Sequence, residues 1–102
     1  TVESLIAALG DPDPEVFALA GLALVKIGAP SVEPLIAALR YPNESIRKGA
    51  AEALGKIGDA RALPELERVA QEDTGKTAWG ESVATAASEA IARIRERMEK
   101  TD

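Results

Sequence analysis

The chain contains no cysteine and no histidine. Without cysteine there is no disulfide, no thiol nucleophile and no thiolate metal site, and the absence fits a reducing compartment, so cytoplasmic localisation is the expectation. Without histidine the commonest general base and the commonest transition-metal ligand are missing, and neither a cofactor nor a metal is expected. Aromatic residues are scarce: Phe17, Tyr41 and Trp79 are the only three. The core must therefore come from Ala, Leu, Ile and Val, and Ala and Leu are strong helix formers. No apolar run approaches the roughly 18 residues of a membrane span, and no secretory signal pattern is present. Basic residues are in deficit, 12 against 17 acidic, and the net charge of −5 opposes binding to a phosphate backbone. The chain opens on Thr1 rather than methionine, as expected of a processed chain or of one cut from something longer.

What the chain has is repetition. The strings VESLIAAL at 2–9 and VEPLIAAL at 32–39 agree at seven of eight positions. A second phrase begins at Val16, returns at Ile46, 30 residues later, and returns again at Val83, 37 residues after that. A period near 30 marks a stack of small units, each too small to bury its own apolar face. Val2, Leu5, Ile6 and Leu9 fall at i, i+3, i+4, i+7, the spacing of one helix face. This predicts an unpaired helix within 1–10, stopped by Gly10, Asp11 and Pro12. Asp13 is expected to cap a second helix over 14–27, with Pro14 at its first position and Gly28 at its stop. Val16, Leu19, Ala20, Ala23, Leu24 and Ile27 form its expected inner face. A third helix over 30–40 repeats the first, with Pro34 placed in its first turn. Asn43 caps a fourth over 44–57, with Ile46, Ala50, Ala53, Leu54 and Ile57 inward and Gly58 at its end. Asp59 caps a fifth over 60–71, whose inner residues are Leu63, Leu66, Val69 and Ala70.

Then the rhythm lengthens. Six residues separate Leu39 from Ile46, but twelve separate Ala70 from Val83. An irregular loop is expected over 72–77. Trp79, Val83, Ala86, Ala87, Ala90, Ile91 and Ile94 continue one stripe, so the sixth helix is expected to start near Thr77, as its N-cap, and to run through 78–100. Arg95 stands where Gly28 and Gly58 stood, which predicts a longer last helix. Trp79 is read first as a plug over the last two helices, and alternatively as an exposed anchor near Lys76 and Glu81. Together these features predict one domain over 1–102, all-α, with repeats at 14–40 and 44–71.

The phrases VEPLIAAL and IRKGAAEALGKIGDARALPEL resemble HEAT-like repeats of the phycobilisome (PBS) lyase type. Residues 46–66 carry the pattern through Ile46, Arg47, Ala50, Ala51, Ala53, Leu54, Gly55, Ile57, Gly58, Asp59, Arg61, Ala62, Leu63 and Leu66. The resemblance implies a short right-handed α-α superhelix, a solenoid of helical hairpins. It also implies that Asp59 caps the following helix while Arg61 contacts a neighbouring repeat. Read in that frame, the chain opens with the second helix of one unit and closes with the first helix of another. The last helix ends in a polar run, but the first carries only Glu3, so it is expected to be under-covered: to self-associate through Leu5 and Ile6, to meet a partner, or to have lost a preceding helix.

Asp11, Asp13 and Glu15 alternate like the opening of a calcium loop, but Pro12 and Pro14 interrupt it and the bend glycine is missing, so capping is the expected role. Gly21, Gly49 and Gly55 lie inside helices at about 1 kcal/mol each relative to Ala, with close helix approach as the expected return. Serine and threonine have no histidine to activate them, and no serine–lysine pair is expected. Glu65 and Glu67 face different ways. A non-catalytic protein–protein interaction scaffold is therefore the leading expectation, with an accessory subunit of a bilin lyase or related enzyme complex as the alternative implied by the resemblance. The resemblance implies that the third and fifth helices line the concave wall, as second helices of such repeats do, which makes Glu33, Ala37, Arg40, Tyr41, Glu67, Arg68 and Gln71 candidate protein-binding residues, with Arg40, Tyr41 and Arg68 foremost.

Overall fold

The computed structural model describes residues 1–100 as six α-helices: α1 (Val2–Ala8), α2 (Pro14–Ile27), α3 (Ala29–Ala38), α4 (Glu44–Ile57), α5 (Leu63–Glu72) and α6 (Val83–Glu99). Residues 101 and 102 of the expected domain lie outside the described residues. Most helix starts follow from local chemistry. Asp13 accepts from the Glu15 N–H, Asn43 from Ile46, and Ser82 from Thr85, so each satisfies a donor that the first turn leaves open. Gly58 ends α4 in the left-handed region at φ 80°, where a side chain would be strained. At Asp59 the chain first makes a 3-10 turn, Ala60–Ala62, and the aspartate caps that turn rather than α5 itself.

The most extensive packing joins α4 to α6. Among helices consecutive in the chain, α1 packs on α2, α3 on α4 and α5 on α6, while α2 touches α3 only slightly; α2 also flanks α4, and α1 touches α3 and α4. The helices thus form three hairpins. The expected unpaired helix at each end is corrected, because α1 and α6 each pack along a neighbour. The shortest dimension, 20 Å, is that of two helix layers about 10 Å thick. This is the hairpin stacking of an α-α solenoid. Its core is aliphatic throughout: Leu9, Leu24, Leu35, Leu39, Leu54, Leu66 and Ile94 are fully buried, with alanines between them.

Helix α4 has neighbours on several sides, and its sequence answers with small residues. Gly49, Ala50, Ala51, Ala53, Leu54 and Gly55 are all buried. A Cβ on Gly55 would lie 2.8 Å from the Ala90 Cα, so the missing side chain is what lets α6 approach. Gly49 is similarly confined by Leu9 and Phe17, but Gly21 has only one neighbour, at 3.9 Å, so close approach explains the first two and not the third.

Several expectations are overturned. α6 begins at Val83 with Ser82 as its cap, not at Thr77 or 78, and the irregular segment spans 73–82. The stripe through Trp79 misleads because apolar spacing alone does not distinguish a helix from a loop that places one aromatic nearby. The plug reading fails with it: Trp79 is 72% exposed. Pro34 is the sixth residue of α3, beyond the first turn, because the helix starts at once from Gly28. Leu19 and Ile27 are exposed and do not belong to the inner face of α2. Ile6 is 2% exposed, part of the core and not of a self-association surface, while Leu5 is half-buried.

Candidate partner-binding cleft

The segment that breaks the repeat builds one side of an apolar cleft. It leaves α5 at Asp73 and returns at Ser82, with one antiparallel bridge between Lys76 and Ser82. Thr77 is buried and organises the tip: its Oγ1 accepts from the Trp79 and Glu81 N–H groups, both at 3.3 Å. The Thr77 N–H donates to the Glu81 carbonyl, and the Gly80 N–H donates to the Thr77 carbonyl. Gly80 takes φ 81°, which glycine adopts without strain. The turn therefore holds Trp79 outward on an ordered backbone.

Between this loop and the α1–α2 turn lies a cleft of about 330 Å³, lined by Gly10, Asp11, Pro12, Pro14, Phe17, Ser45, Lys48, Thr77, Ala78, Trp79 and Glu81. Its shape has local causes on each side. The Asp13 N–H donates to Asp11 Oδ1 at 2.8 Å and the Glu15 N–H to Asp13 Oδ1 at 2.9 Å, so both carboxylates fold the turn, and the Pro12 and Pro14 rings form its wall. Among the described residues no group of acidic side chains could hold a metal ion.

Lys48 ties the cleft together. Its Nζ lies 5.1 Å from the Phe17 ring centroid, 3.1 Å from Glu52 Oε2 and 3.2 Å from Glu81 Oε1. Burial works against its charge, but hydrogen bonds and attraction from Glu52 and Glu81 outweigh it and raise its pKa above the ordinary lysine value. Lys48 thereby pins the loop, through Glu81, to α4. A Ser-x-x-Lys spacing does occur here, at Ser45 and Lys48, against the sequence expectation. A lysine base needs a depressed pKa, and Lys48 has the opposite shift.

The seven residues singled out from sequence divide into two groups. Arg40 Nε lies 2.8 Å from Glu65 Oε2, and Arg68 Nη2 lies 3.0 Å from the same oxygen, so the turn that follows α3 is joined to α5 through one carboxylate. Burial opposes the Glu65 charge, but hydrogen bonds from Arg68 and Arg40 prevail and hold its pKa below the usual carboxylate value. Glu33 lies 3.3 Å from Arg61, which bonds mainly to its own Asp59; Arg61 thus reaches the preceding repeat. Ala37 is exposed and Tyr41 packs against the core. Glu67 instead turns toward α6, where it pairs with Arg95, and Gln71 lies in the same groove.

Sequence reading named Arg47 only as part of the repeat pattern. The structure gives it a role between repeats. It holds Asp73 with two hydrogen bonds, Nε to Oδ2 at 2.8 Å and Nη2 to Oδ1 at 3.1 Å, and its Nη1 donates to the carbonyls of Tyr41 and Pro42. Both side chains are largely buried, at 15% and 9% exposure. Burial opposes ionisation of Asp73, but the Arg47 hydrogen bonds and the Gly75 N–H outweigh it and lower its pKa. The signal was an aspartate placed where α5 must stop, opposite the repeat-pattern arginine. Phe17 and Lys48 carried no comparable signal, because it is the packing of α2 on α4 that brings them together.

Among the described residues no helix is long and apolar enough to cross a membrane. A search of curated proteins returns no match. A family model described as HEAT repeats matches residues 2–92, nearly the whole chain. With its repeated phrases, its stacked hairpins and that match in agreement, the chain belongs to the HEAT-repeat family.

Proposed function

We propose that this chain is a non-catalytic, cytoplasmic protein-interaction module, and that its contact centre is the cleft beneath Trp79. One observation carries the reading: the single tryptophan is 72% exposed yet fixed on a hydrogen-bonded turn. Tryptophan is the residue type most enriched among binding hot spots, and a rigid anchor loses little conformational freedom when it binds. Phe17 and the two prolines supply apolar lining, and the Lys48–Glu81 pair supplies a polar rim. The absence of histidine and cysteine from the sequence supports a role that needs no imidazole or thiol.

The test is comparative capture from a lysate of the source cells, using the intact protein and Trp79→Ala. The expected result is a protein retained by the first and lost by the second, with affinity reduced about 30-fold or more, the effect of losing a hot spot of about 2 kcal/mol. Equal capture by both would contradict the assignment of the cleft. The α3–α5 side is proposed as a second contact, because Arg40 is 64% exposed and already oriented by Glu65. An accessory role in bilin attachment rests on the pattern at 46–66. Adding a bilin to the protein tests that reading, and an unchanged visible spectrum would remove it.

A further inference from the structure

Helix α2 is apolar on more faces than it can bury. Ala20 and Leu24 enter the core, yet on the opposite side Leu19 is 64% and Leu22 is 53% exposed. A surface helix normally carries polar residues there. The outer stripe reads Glu15, Leu19, Leu22, Lys26, at steps of four, three and four, so all four side chains fall on one face. Each of the four is exposed. Neither Glu15 nor Lys26 makes a salt bridge among the described residues.

The order of that stripe has a symmetry. The midpoint between Glu15 and Lys26 is also the midpoint between Leu19 and Leu22. If a second α2 is laid antiparallel across a two-fold axis at that midpoint, Leu19 meets Leu22 of the other copy. Glu15 meets Lys26 at both ends. The stripe is therefore complementary to itself in charge and in apolar position, as an isologous interface requires. Ala18 and Ala23 flank the stripe with small side chains, which permits close approach.

The other way for two copies to meet, end to end as a continuing solenoid, would bring α2 against the outer side of α6. By helical spacing Ala92, Arg95 and Glu99 fall on the side of α6 turned away from Ala90, which packs on α4, and all three are exposed, so Leu19 and Leu22 would be set against charges there. The two-fold arrangement avoids this, and it closes at two chains.

We propose that a second copy of this chain docks on the Glu15–Leu19–Leu22–Lys26 stripe, giving an antiparallel α2–α2 dimer. A single-helix contact is smaller than the standard interface of about 800 Å² per partner, so the dimer is weak and dependent on concentration. This inference does not use the Trp79 cleft and stands apart from it.

Sedimentation equilibrium of the intact chain over a wide concentration range tests it, with circular dichroism to confirm that each variant stays helical. The expected result is reversible dimerisation, weakened at least about tenfold by Leu19→Glu. Glu15→Lys alone places lysine against Lys26 and weakens the dimer, as Lys26→Glu does with the opposite sign. Glu15→Lys combined with Lys26→Glu restores it. A monomer at every concentration overturns the proposal. So does a dimer indifferent to Leu19→Glu, which would use another surface, and so does a double charge swap no better than the single ones, which would rule out the antiparallel register.

Discussion

Gly55 and Gly21 occupy helix interiors for different reasons, and replacing each with alanine separates them. Alanine is favoured over glycine by about 1 kcal/mol in a helix. At Gly21 the nearest atom to a new Cβ is 3.9 Å away, so Gly21→Ala is expected to stabilise the fold by about that amount. At Gly55 the new Cβ would meet the Ala90 backbone at 2.8 Å, and a packed helix cannot yield there locally. Gly55→Ala is therefore expected to destabilise by about 1–3 kcal/mol, the range for overpacking. Urea denaturation of the two variants checks both signs. Ser31 is a second point of residue-scale strain: it is fully buried and its Oγ has no hydrogen-bond partner. Ser31→Ala removes an unsatisfied group, so it is expected to leave stability unchanged or raise it by about 1 kcal/mol in the same assay.

Between elements, the Arg47–Asp73 pair fastens α4 to the end of α5 and to the carbonyls that follow α3. Removing one member strands a buried charge, so Arg47→Met is expected to lose about 3–5 kcal/mol of unfolding free energy. The same pair contributes to the acid limit. Asp73 and Glu65 titrate below their ordinary values in the folded chain. Their contribution is present above the unfolded carboxylate pKa of about 4 and is lost as pH falls through the lower folded values. Stability is thus expected to fall below about pH 4, and Asp73→Asn is expected to flatten that fall, as measured by denaturation at a series of pH values. This scale also shows what the sequence conveyed. Helices α2 and α4 were legible with their caps at Asp13 and Asn43 and stops at Gly28 and Gly58, because a cap is a local hydrogen bond that a local pattern encodes. The start of α6 was not. Thr77 and Ser82 are equally good capping residues, and the bridge between Lys76 and Ser82, with the turn that the Thr77 hydroxyl closes onto Trp79 and Glu81, decides against Thr77.

At the scale of the whole molecule, the stacked hairpins form an aliphatic frame, and the functional proposals sit where the frame departs from its own repeat. The longer unit puts Trp79 on the surface beside Phe17 and Lys48, which belong to different helices. Such a meeting of distant residues has no periodic signature, so the candidate cleft was far less legible than the fold. The length of the Gln71–Ser82 insertion marked where to look, without saying which way the indole would point. Because Trp79 is the only tryptophan, its fluorescence reads this position directly. The most direct test of the account is acrylamide quenching of that fluorescence in the intact protein. The structure predicts red-shifted emission and quenching close to that of a free indole in water, since 72% of the residue is exposed. Blue-shifted emission with weak quenching would contradict it, placing the indole inside the fold as a plug between α5 and α6 and removing the anchor on which the binding function is built.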